Sequence, residues 1–292
     1  MQNPTNILDT HPCFSRKAHN KYGRIHLPIA PVCNIKCRFC VRDYDCVNES
    51  RPGVSSRILG VGEAVERVGY SINREERIRV VGIAGPGDPL ANSSTFEVLS
   101  HLHREFPELI LCLSTNGLLL QENLKNLMDA GVSSLTVTIN ATTPETAQNI
   151  YSWVSYRGRV YKGAEAASLL LCNQWRGISD AVETGFLVKL NFVLVPGVNS
   201  HEAVKAARIA GGMGVELMNI IPVIPQGDFA DINKPSADEV NTIRNACCDF
   251  IPQMRHCRQC RADAFGLIGT DKNAEAETML AQIGAEYLEL VQ

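Results

Sequence analysis

Long apolar runs and a strong excess of one charge are both missing from this sequence. The most apolar stretch, residues 186–195, is interrupted by Lys189 and Asn191, and it is shorter than the roughly 18 apolar residues of a membrane span. The polar start of the chain is unlike a secretory signal peptide. The formal net charge of -3 argues against a nucleic-acid-binding surface over the whole protein. We therefore expect a cytoplasmic protein that binds neither membranes nor nucleic acids.

Internal repeats, low-complexity tracts and long linkers are also missing. Hydrophobic residues make up 45% of the 292 positions, which is enough for the core of one large domain or two small ones. The unusual feature is eleven cysteines. Five of them lie between Cys13 and Cys46, and Cys257 and Cys260 form a pair near the end.

Disulfides, buried thiols and metal ligands are the three uses that compete for these cysteines. Disulfide frameworks are typical of small secreted domains that lack a sufficient core. This chain is long, its cysteine count is odd, and nothing in it indicates secretion. A reduced protein whose clustered cysteines serve metal binding or catalysis is the better interpretation.

Strand-like apolar runs alternate with helical patterns along most of the chain. Strands are expected at residues 25–32, 78–84, 109–114, 134–139, 186–195 and 215–221. Helices are expected at residues 61–73, 94–106, 121–130, 144–150, 162–184 and 201–213, and from Ser236, which forms a capping-box pattern with Glu239, to about residue 250. Six β–α units in a row predict an α/β fold, a partial (βα)6 barrel of the TIM type.

The alternation of residues along the predicted strands directs polar side chains to one face. The polar sets are Cys112 with Ser114, then Thr136, Thr138 and Asn140, then Lys189 with Asn191. Inward residues near the carboxyl ends of barrel strands build the active site of such folds. A polar lumen is costly unless its groups meet a ligand, water or each other. A ligand site and a self-satisfied polar layer both stay open at this point.

Three cysteines follow the first predicted strand within eight residues. Cys33, Cys37 and Cys40 have the spacing C-x3-C-x2-C. Three thiolates on one loop suit an iron–sulfur cluster, and three suffice if one iron stays open for a substrate or cofactor. Structural zinc usually takes pairs of ligands from two separated turns, so zinc fits less well.

This motif and its position resemble the radical S-adenosylmethionine (SAM) superfamily. The resemblance implies that Cys33, Cys37 and Cys40 hold a catalytic [4Fe-4S] cluster, whose free iron binds SAM for reductive cleavage to a 5′-deoxyadenosyl radical. The superfamily has a Gly-Gly-Glu-Pro-like loop after its second strand, and this chain has the divergent version Gly85-Pro86-Gly87-Asp88-Pro89. We expect SAM to contact Gly85, Gly87, Asp88, Ser114, Asn116, Thr138, Asn140 and Asn191.

Flanking segments narrow the resemblance to the maturases of the nitrogenase iron–molybdenum cofactor. These segments are residues 11–15, 30–35, 44–53, 84–90 and 257–260, within a resemblance that runs from about residue 9 to 265. Longer members carry a C-terminal NifX-like domain, and this chain resembles the stand-alone form. The resemblance implies an enzyme that fuses two [4Fe-4S] clusters, with a carbide and one sulfur, into an [8Fe-9S-C] precursor. One SAM molecule donates a methyl group and a second supplies the radical.

The resemblance also implies ligands for the two precursor clusters, which makes three clusters in all. One precursor is expected on Cys13, Cys257 and Cys260, and the other on Cys46, Cys112 and the nitrogen ligand His26. The expected organisation is an N-terminal extension with a cluster ligand (1–24), the barrel (25–235) and a helical C-terminal extension with the Cys-x2-Cys ligands (236–292). Cys172, Cys247 and Cys248 fall in predicted helices and are expected to have no role.

The implied partners are cluster donor proteins, an external electron donor, and a NifEN-type scaffold or NifX-type carrier that receives the product. Two other interpretations stay open. One is a radical SAM enzyme that uses auxiliary clusters to modify a peptide or small molecule. The other is a non-catalytic iron–sulfur scaffold or carrier, which would bind clusters without cleaving SAM.

Overall fold

Strands and helices alternate along the chain in the predicted order. The computed structural model describes residues 4–43, 45–48, 57–269 and 272–273, so most of the matched segment 44–53 and of the chain after residue 269 lies outside the described residues. The strands are β1 (Gly23–His26), β2 (Ile35–Cys37), β3 (Ile78–Ile83), β4 (Ile110–Thr115), β5 (Val132–Thr138), β6 (Tyr151–Tyr156), β7 (Arg159–Tyr161), β8 (Leu187–Leu194), β9 (Leu217–Pro222), β10 (Ala264–Leu267) and β11 (Lys272–Asn273). The helices are α1 (Pro4–Thr10), α2 (Arg16–His19), α3 (Val61–Arg74), α4 (Ser93–Glu105), α5 (Leu120–Asp129), α6 (Pro144–Ile150), α7 (Gly163–Glu183), α8 (Ala203–Gly212) and α9 (Ala237–Cys247).

Six parallel strands form the central sheet in the order β1-β3-β4-β5-β8-β9. The sheet curls into a partial barrel, which confirms the predicted fold class. Each crossover between neighbouring strands contains a helix, because parallel strands need a long connection that returns the chain to the same end. The helices cover the outer face of the sheet, so the strand residues of that face form the main core. This core includes Val81, Leu111, Leu113, Leu135 and Leu190.

The first strand is shorter than the sequence predicts. The prediction of residues 25–32 is wrong at its C-terminal end, because β1 stops at His26. Pro28 and Pro31 have no N–H group, so this stretch cannot continue a ladder of hydrogen bonds. It leaves the sheet and returns at an isolated bridge between Ala30 and Pro86.

The N-terminal residues fill the lower end of the barrel. Ile7 and Phe14 pack in a small cluster with Val80, Ile110 and Leu187, which are inward residues of β3, β4 and β8. Cys13 and Cys112 pack against the same cluster. The lumen is therefore closed below by apolar side chains.

A C-terminal segment crosses the open side of the barrel. Residues 252–263, here called the closing segment, begin beside β9, where Met218 exchanges backbone hydrogen bonds with Pro252 and Met254. They end at β10, which pairs antiparallel with the outer edge of β1. Cys257 and Cys260 lie between these two anchors.

A second, three-stranded sheet has the order β2-β6-β7. Within the described ranges, no helix is long and apolar enough to cross a membrane.

Candidate active site

The three motif cysteines line a cavity of about 440 Å³, here called the motif cavity. Its other lining residues come from four places: the motif itself, the segment that follows it, the loop after β3 and the carboxyl ends of β4 and β5. They are Ile35, Arg42, Cys46, Asn48, Pro86, Gly87, Asp88, Ser114, Thr115, Asn116 and Thr138. Five of the eight expected SAM contacts, Gly87, Asp88, Ser114, Asn116 and Thr138, therefore face the motif cysteines.

Strand pairing holds the cysteine motif in position. The motif itself forms β2, in which Ile35 pairs with Val154 and Cys37 with Tyr151 of β6. The backbone N–H of Arg38 also donates a hydrogen bond to the carbonyl of Ile150. The hairpin β6–β7 thus supports the cysteine loop through backbone pairing.

Gly87 allows the loop after β3 to approach the chain just before Cys33. A Cβ atom at Gly87 would lie 2.3 Å from the carbonyl oxygen of Val32 and 2.8 Å from that of Ala30. The backbone N–H of Gly87 donates to Ala30 O at 2.5 Å, and that of Asp88 donates to Val32 O at 2.9 Å. No residue with a side chain fits here without moving the cysteine loop.

Asp88 ties this loop to the end of β4. Its carboxylate accepts hydrogen bonds from the Thr115 hydroxyl at 2.9 Å, the Asn116 N–H at 2.6 Å and the Leu90 N–H at 3.0 Å. Burial raises the pKa of Asp88 to about 6, while these hydrogen bonds oppose the rise. Protein donors thus occupy the carboxylate of Asp88. Its hydrogen bonds orient Asn116, whose side-chain amide lies 3.8 Å from Cys33 Sγ.

Two of the motif thiols, those of Cys33 and Cys37, lie in surroundings that favour the protonated form. Burial, with a contribution from Asp88, raises the pKa of Cys33, and Arg42 opposes that rise. Burial also raises the pKa of Cys37, with Cys40 and Cys33 adding to the effect. A buried thiolate is unfavourable without a cation, so bound iron would supply the charge that these sulfurs need.

Cys46 lies in the motif cavity with Cys33, Cys37 and Cys40. The Asn48 amide donates to Cys46 Sγ at 3.5 Å and to Cys37 Sγ at 3.8 Å. A Cβ atom at Gly85 would lie 3.7 Å from the Cβ of Cys46. Cys46 therefore stands where the loop after β3 separates this cavity from the barrel lumen.

A second cavity of about 700 Å³ occupies the barrel lumen. This lumen cavity shares Ser114 with the motif cavity. Five of the six expected precursor-cluster ligands line it: Cys13, His26, Cys112, Cys257 and Cys260. It is also lined by His11, Arg24, Thr136, Lys189, Asn191, Asn219, Met254, Arg258 and several apolar strand residues. The N-terminal segment, the barrel strands and the closing segment all contribute donors to one space.

His26 is held in a defined orientation. Its Nδ1 lies 2.9 Å from the carbonyl oxygen of Arg261 in the closing segment. A carbonyl accepts a hydrogen bond, so Nδ1 carries the proton and Nε2 is the ring nitrogen that would bind a metal. Gly82 of β3 makes room for the ring, because a Cβ there would lie 3.3 Å from Nε2 and 2.9 Å from Cδ2.

The charged groups of the lumen cavity are cations. Lys189 is buried, and its Nζ lies 5.8 Å from the centre of the Phe14 ring. Arg24 is fully buried and donates to the carbonyl of Gly266 at 2.8 Å. Burial raises the pKa of Cys13 to about 12, and Lys189 opposes the rise. Burial and Lys189 lower the pKa of His11, whose Nδ1 accepts a hydrogen bond from the Cys13 N–H at 3.1 Å.

The remaining predicted residues lie elsewhere. Asn191 lines the lumen cavity, while Gly85 and Asn140 line neither of the two cavities. Asn140 is buried and accepts a hydrogen bond from the Val193 N–H at 2.8 Å. Each of the eleven cysteines, all within the described ranges, is a free thiol. Cys172 and Cys248 are exposed and Cys247 packs in the core, so these three line neither cavity.

The donor sets fit iron–sulfur clusters better than single metal ions. Among the described residues, no three His, Cys, Asp or Glu side chains are close enough to hold one metal ion. A cluster spreads its irons over a cube and so takes thiolates that lie further apart, and both cavities offer the soft sulfur donors that it prefers. The Ser114 hydroxyl is buried between the two cavities without a hydrogen-bond partner among the described residues. A polar ligand at this boundary would satisfy it.

Sequence reasoning missed several residues that shape the site. The hairpin β6–β7 has the alternating aromatic and β-branched residues of a strand pair around Arg157-Gly158, and that signal could have revealed it. Asn48, Gly82 and Asn219 left no signal, because their roles depend on contacts between distant segments.

Comparisons with known proteins agree with this geometry. Residues 27–210 match the family model of the radical SAM superfamily. The chain is 44% identical over 266 residues to the FeMo cofactor biosynthesis protein NifB of Methanocaldococcus infernus, covering 90% of this chain and 87% of that protein. It is 42% identical over 272 residues to the Klebsiella pneumoniae protein of the same name, covering 91% of this chain but only 58% of that protein's length.

The fold agrees with a solved structure as well. Streptococcus suis SuiB bound to S-adenosylmethionine aligns with a TM-score of 0.58 at 12% identity, covering 87% of this chain and 56% of that one. At this identity the likeness concerns the fold. The chain therefore belongs to the radical SAM superfamily of enzymes and, within it, to the NifB family.

Proposed function

We propose that this chain acts in nitrogenase cofactor biosynthesis, where it fuses two [4Fe-4S] clusters, with insertion of a carbide and one sulfur, into the [8Fe-9S-C] core called NifB-co. One observation carries the proposal. A second set of soft donors surrounds the lumen cavity, which adjoins the motif cavity at Ser114. A radical SAM enzyme with a single cluster has no use for this second set.

In the motif cavity, Cys33, Cys37 and Cys40 hold the resident cluster. Gly87 and Asn116 orient SAM, because both lie beside the cysteine loop and face the cavity. When bound, the cluster and SAM supply the reductive cleavage chemistry of the superfamily. The protein's own contribution is to bury the thiols and to keep the methionine end of SAM against them.

In the lumen cavity, the substrates are two precursor clusters. Cys13, Cys257 and Cys260 bind one of them, and Cys112 and His26 bind the other together with Cys46. The position of Cys46 at the loop between the two cavities supports a substrate cluster that lies near that boundary. A methyl group carried on such a cluster would be close to SAM.

The cations of the lumen suit anionic cargo. Lys189 and Arg24 are buried there, and a [4Fe-4S] cluster on thiolates is an anion, so each stabilises the other in a space of low dielectric. The apolar plug of Ile7 and Phe14 excludes water from below. Exclusion of water protects reactive species from side reactions.

The proposed partners follow from the same chemistry. Cluster donor proteins supply the substrates, an external donor supplies electrons, and a NifEN-type scaffold or NifX-type carrier accepts the product. The reduced thiols suit a cytoplasmic setting.

Anaerobic reconstitution tests the proposal. We expect about twelve irons per chain, four for each of three clusters. Reduction in the presence of SAM should then form both 5′-deoxyadenosine and S-adenosylhomocysteine, since one SAM serves as methyl donor. About four irons, or 5′-deoxyadenosine alone, would favour an enzyme that modifies a peptide or small molecule. A cluster-replete protein that cleaves no SAM would indicate a carrier.

Matched variants assign the lumen donors. Cys112→Ser should lose about one cluster's worth of iron and the coupled product, while Cys172→Ser, at an exposed cysteine outside both cavities, should lose neither. His26→Ala should change the spectrum of one precursor cluster. If the coupled product still forms at full yield in His26→Ala, the nitrogen ligand is assigned wrongly.

A further inference from the structure

A third cavity, of about 980 Å³, lies on the outer side of the closing segment. This side cavity lies between the end of β9, the start of α9 and the closing segment. Its lining residues are Asn219, Ile220, Ile221, Pro222, Lys234, Pro235, Ala237, Val240, Asn241, Arg244, Cys257, Arg258 and Gln259. Lys234, Asn241 and Arg258 are exposed, so the cavity opens to solvent.

The side cavity and the lumen cavity share one partition. Asn219, Ile221, Cys257 and Arg258 line both. Asn219 is 1% exposed, and its Nδ2 donates to Asn191 at 3.3 Å. Its buried Oδ1 accepts no hydrogen bond from the described residues. A buried amide oxygen of this kind is costly within a solid wall, so the partition suits a place that polar molecules occupy or pass.

The closing segment carries a proposed ligand thiol at this partition, and side-chain contacts hold it there in addition to its two backbone anchors. Its backbone is anchored at Met254, through the bond to Met218, and at β10, while residues 255–261 have no regular secondary structure. Cys257, in this stretch, is a proposed cluster ligand that lines the outer cavity as well as the lumen. A donor in the side cavity could therefore reach a ligand thiol before the lumen is entered.

The charged groups that line the side cavity are all basic. They are Lys234, Arg244 and Arg258, and the lining includes no Asp or Glu in a chain that has 31 acidic residues and 28 Lys and Arg. Arg244 is half-buried, and its Nη2 donates to Ile220 O at 2.7 Å. The nearest acids in sequence, Asp238 and Glu239, line a different cavity, and Glu239 also caps α9. This local field attracts anions to the outer face of the closing segment.

We propose that the side cavity is the entrance through which anionic, thiolate-bound iron–sulfur clusters reach the lumen, with Cys257 as the first protein ligand. The proposal rests on the proposed function. At the entrance, one iron–thiolate bond to the donor breaks and one bond to Cys257 sulfur forms. The proton of Cys257 passes to the departing thiolate, and no electron is transferred. Lys234 and Arg258 raise the rate of encounter, and Arg244 holds the charge nearest the β9 end.

Uptake kinetics test the proposal. The probe is a synthetic [4Fe-4S] cluster with small thiolate ligands, added anaerobically to protein whose motif cluster is already in place. Lys234→Glu should take up this anion several-fold more slowly at low ionic strength. It should reach the same final iron content, and at about 1 M salt, where the Debye length falls to about 3 Å, its rate should equal that of the wild type.

Lys125→Glu is the matched control, because it makes the same charge change at an exposed site on α5. Ferrous ion with sulfide is the second control, because a cationic iron source should not be slowed by Lys234→Glu. Equal rates for Lys234→Glu and the wild type, or equal slowing by both charge reversals, would overturn the entrance. Arg258→Glu, at the partition, should slow cluster uptake in the same way as Lys234→Glu. A wild-type uptake rate in Arg258→Glu as well would be a second result against the proposed entrance.

The failure of the proposed function looks different. In that case the wild-type protein itself takes up no iron beyond the motif cluster, and the entrance falls with it. If the wild-type protein takes up its full iron content and the charge reversals do not change the uptake rate, the proposed lumen site is retained and the proposed entrance is wrong.

Discussion

Replacement of Gly82 by alanine should displace the His26 ring without substituting any proposed ligand. Gly82 pairs with His26 across β3 and β1. The new methyl group would lie 2.9 Å from Cδ2 and 3.3 Å from Nε2 of the ring. The hydrogen bond from Nδ1 to Arg261 O holds the ring against this contact, so the ring must tilt and break that bond, or β3 must shift.

The cost of this overpacking is about 1–3 kcal/mol of folding free energy. The larger effect concerns iron, because a misdirected supporting contact typically lowers metal affinity by about 10–100-fold. We therefore expect Gly82→Ala to remain folded, to keep the motif cluster, and to lose the spectroscopic signature of the histidine-bound cluster.

Iron content, electron paramagnetic resonance and thermal unfolding measure the three quantities on one sample. Gly62→Ala is the control, because nothing lies within 4 Å of a Cβ built there. In α3 this change should be neutral or stabilise by up to about 1 kcal/mol. A Gly82→Ala protein with full iron content and an unchanged spectrum would refute the role of His26 Nε2.

Three further predictions concern the motif cavity and the buried thiols. Gly87→Ala would place its methyl group 2.3 Å from Val32 O, so it should displace the cysteine loop and remove the motif cluster. SAM cleavage should then be lost while the circular dichroism spectrum is retained. A normal cleavage rate would contradict the close approach of Gly87 to the cysteine loop. Burial raises the pKa of Cys33, and that of Cys13 to about 12, so cluster assembly from iron salts and sulfide, where no thiolate leaves to take the protons, must release protons and improve as the pH rises. Assembly from these salts in weak buffer without acidification would show that the thiols are already ionised. The pKa of Asp88 is raised from its ordinary 3.8 to about 6, so between these pH values the native state holds a proton that the unfolded state gives up. The free energy of unfolding should therefore fall by about 3 kcal/mol as the pH rises through this window. Asp88→Asn should remove this pH dependence in denaturant titrations, and an unchanged pH dependence would mean that another group causes it.

Much of the barrel could be predicted from local patterns. Strands β3, β4, β5, β8 and β9 lie within two residues of the predicted bounds, because each is an apolar run between helical segments. The capping box of Ser236 and Glu239 is present at α9. The strands that were missed are β2, the hairpin β6–β7 and the pair β10–β11, and the short helices α1 and α2 were missed as well. These strands are short or pair with segments far away in the chain, so local periodicity carries little signal for them.

The sequence by itself determined the parallel α/β architecture and the iron–sulfur chemistry. Periodicity selects strands and helices because burial of one face drives their packing, and the spacing of Cys33, Cys37 and Cys40 suits one loop around a cluster. Only the tertiary structure decided which distant side chains share a space. It brings Cys13, Cys112 and Cys257 to one lumen and leaves Cys46 beside the motif. The reason is physical: the curl of the sheet and the path of the closing segment are set by packing between segments that lie far apart in the chain, as between Arg24 and Gly266, whose separation is 242 residues.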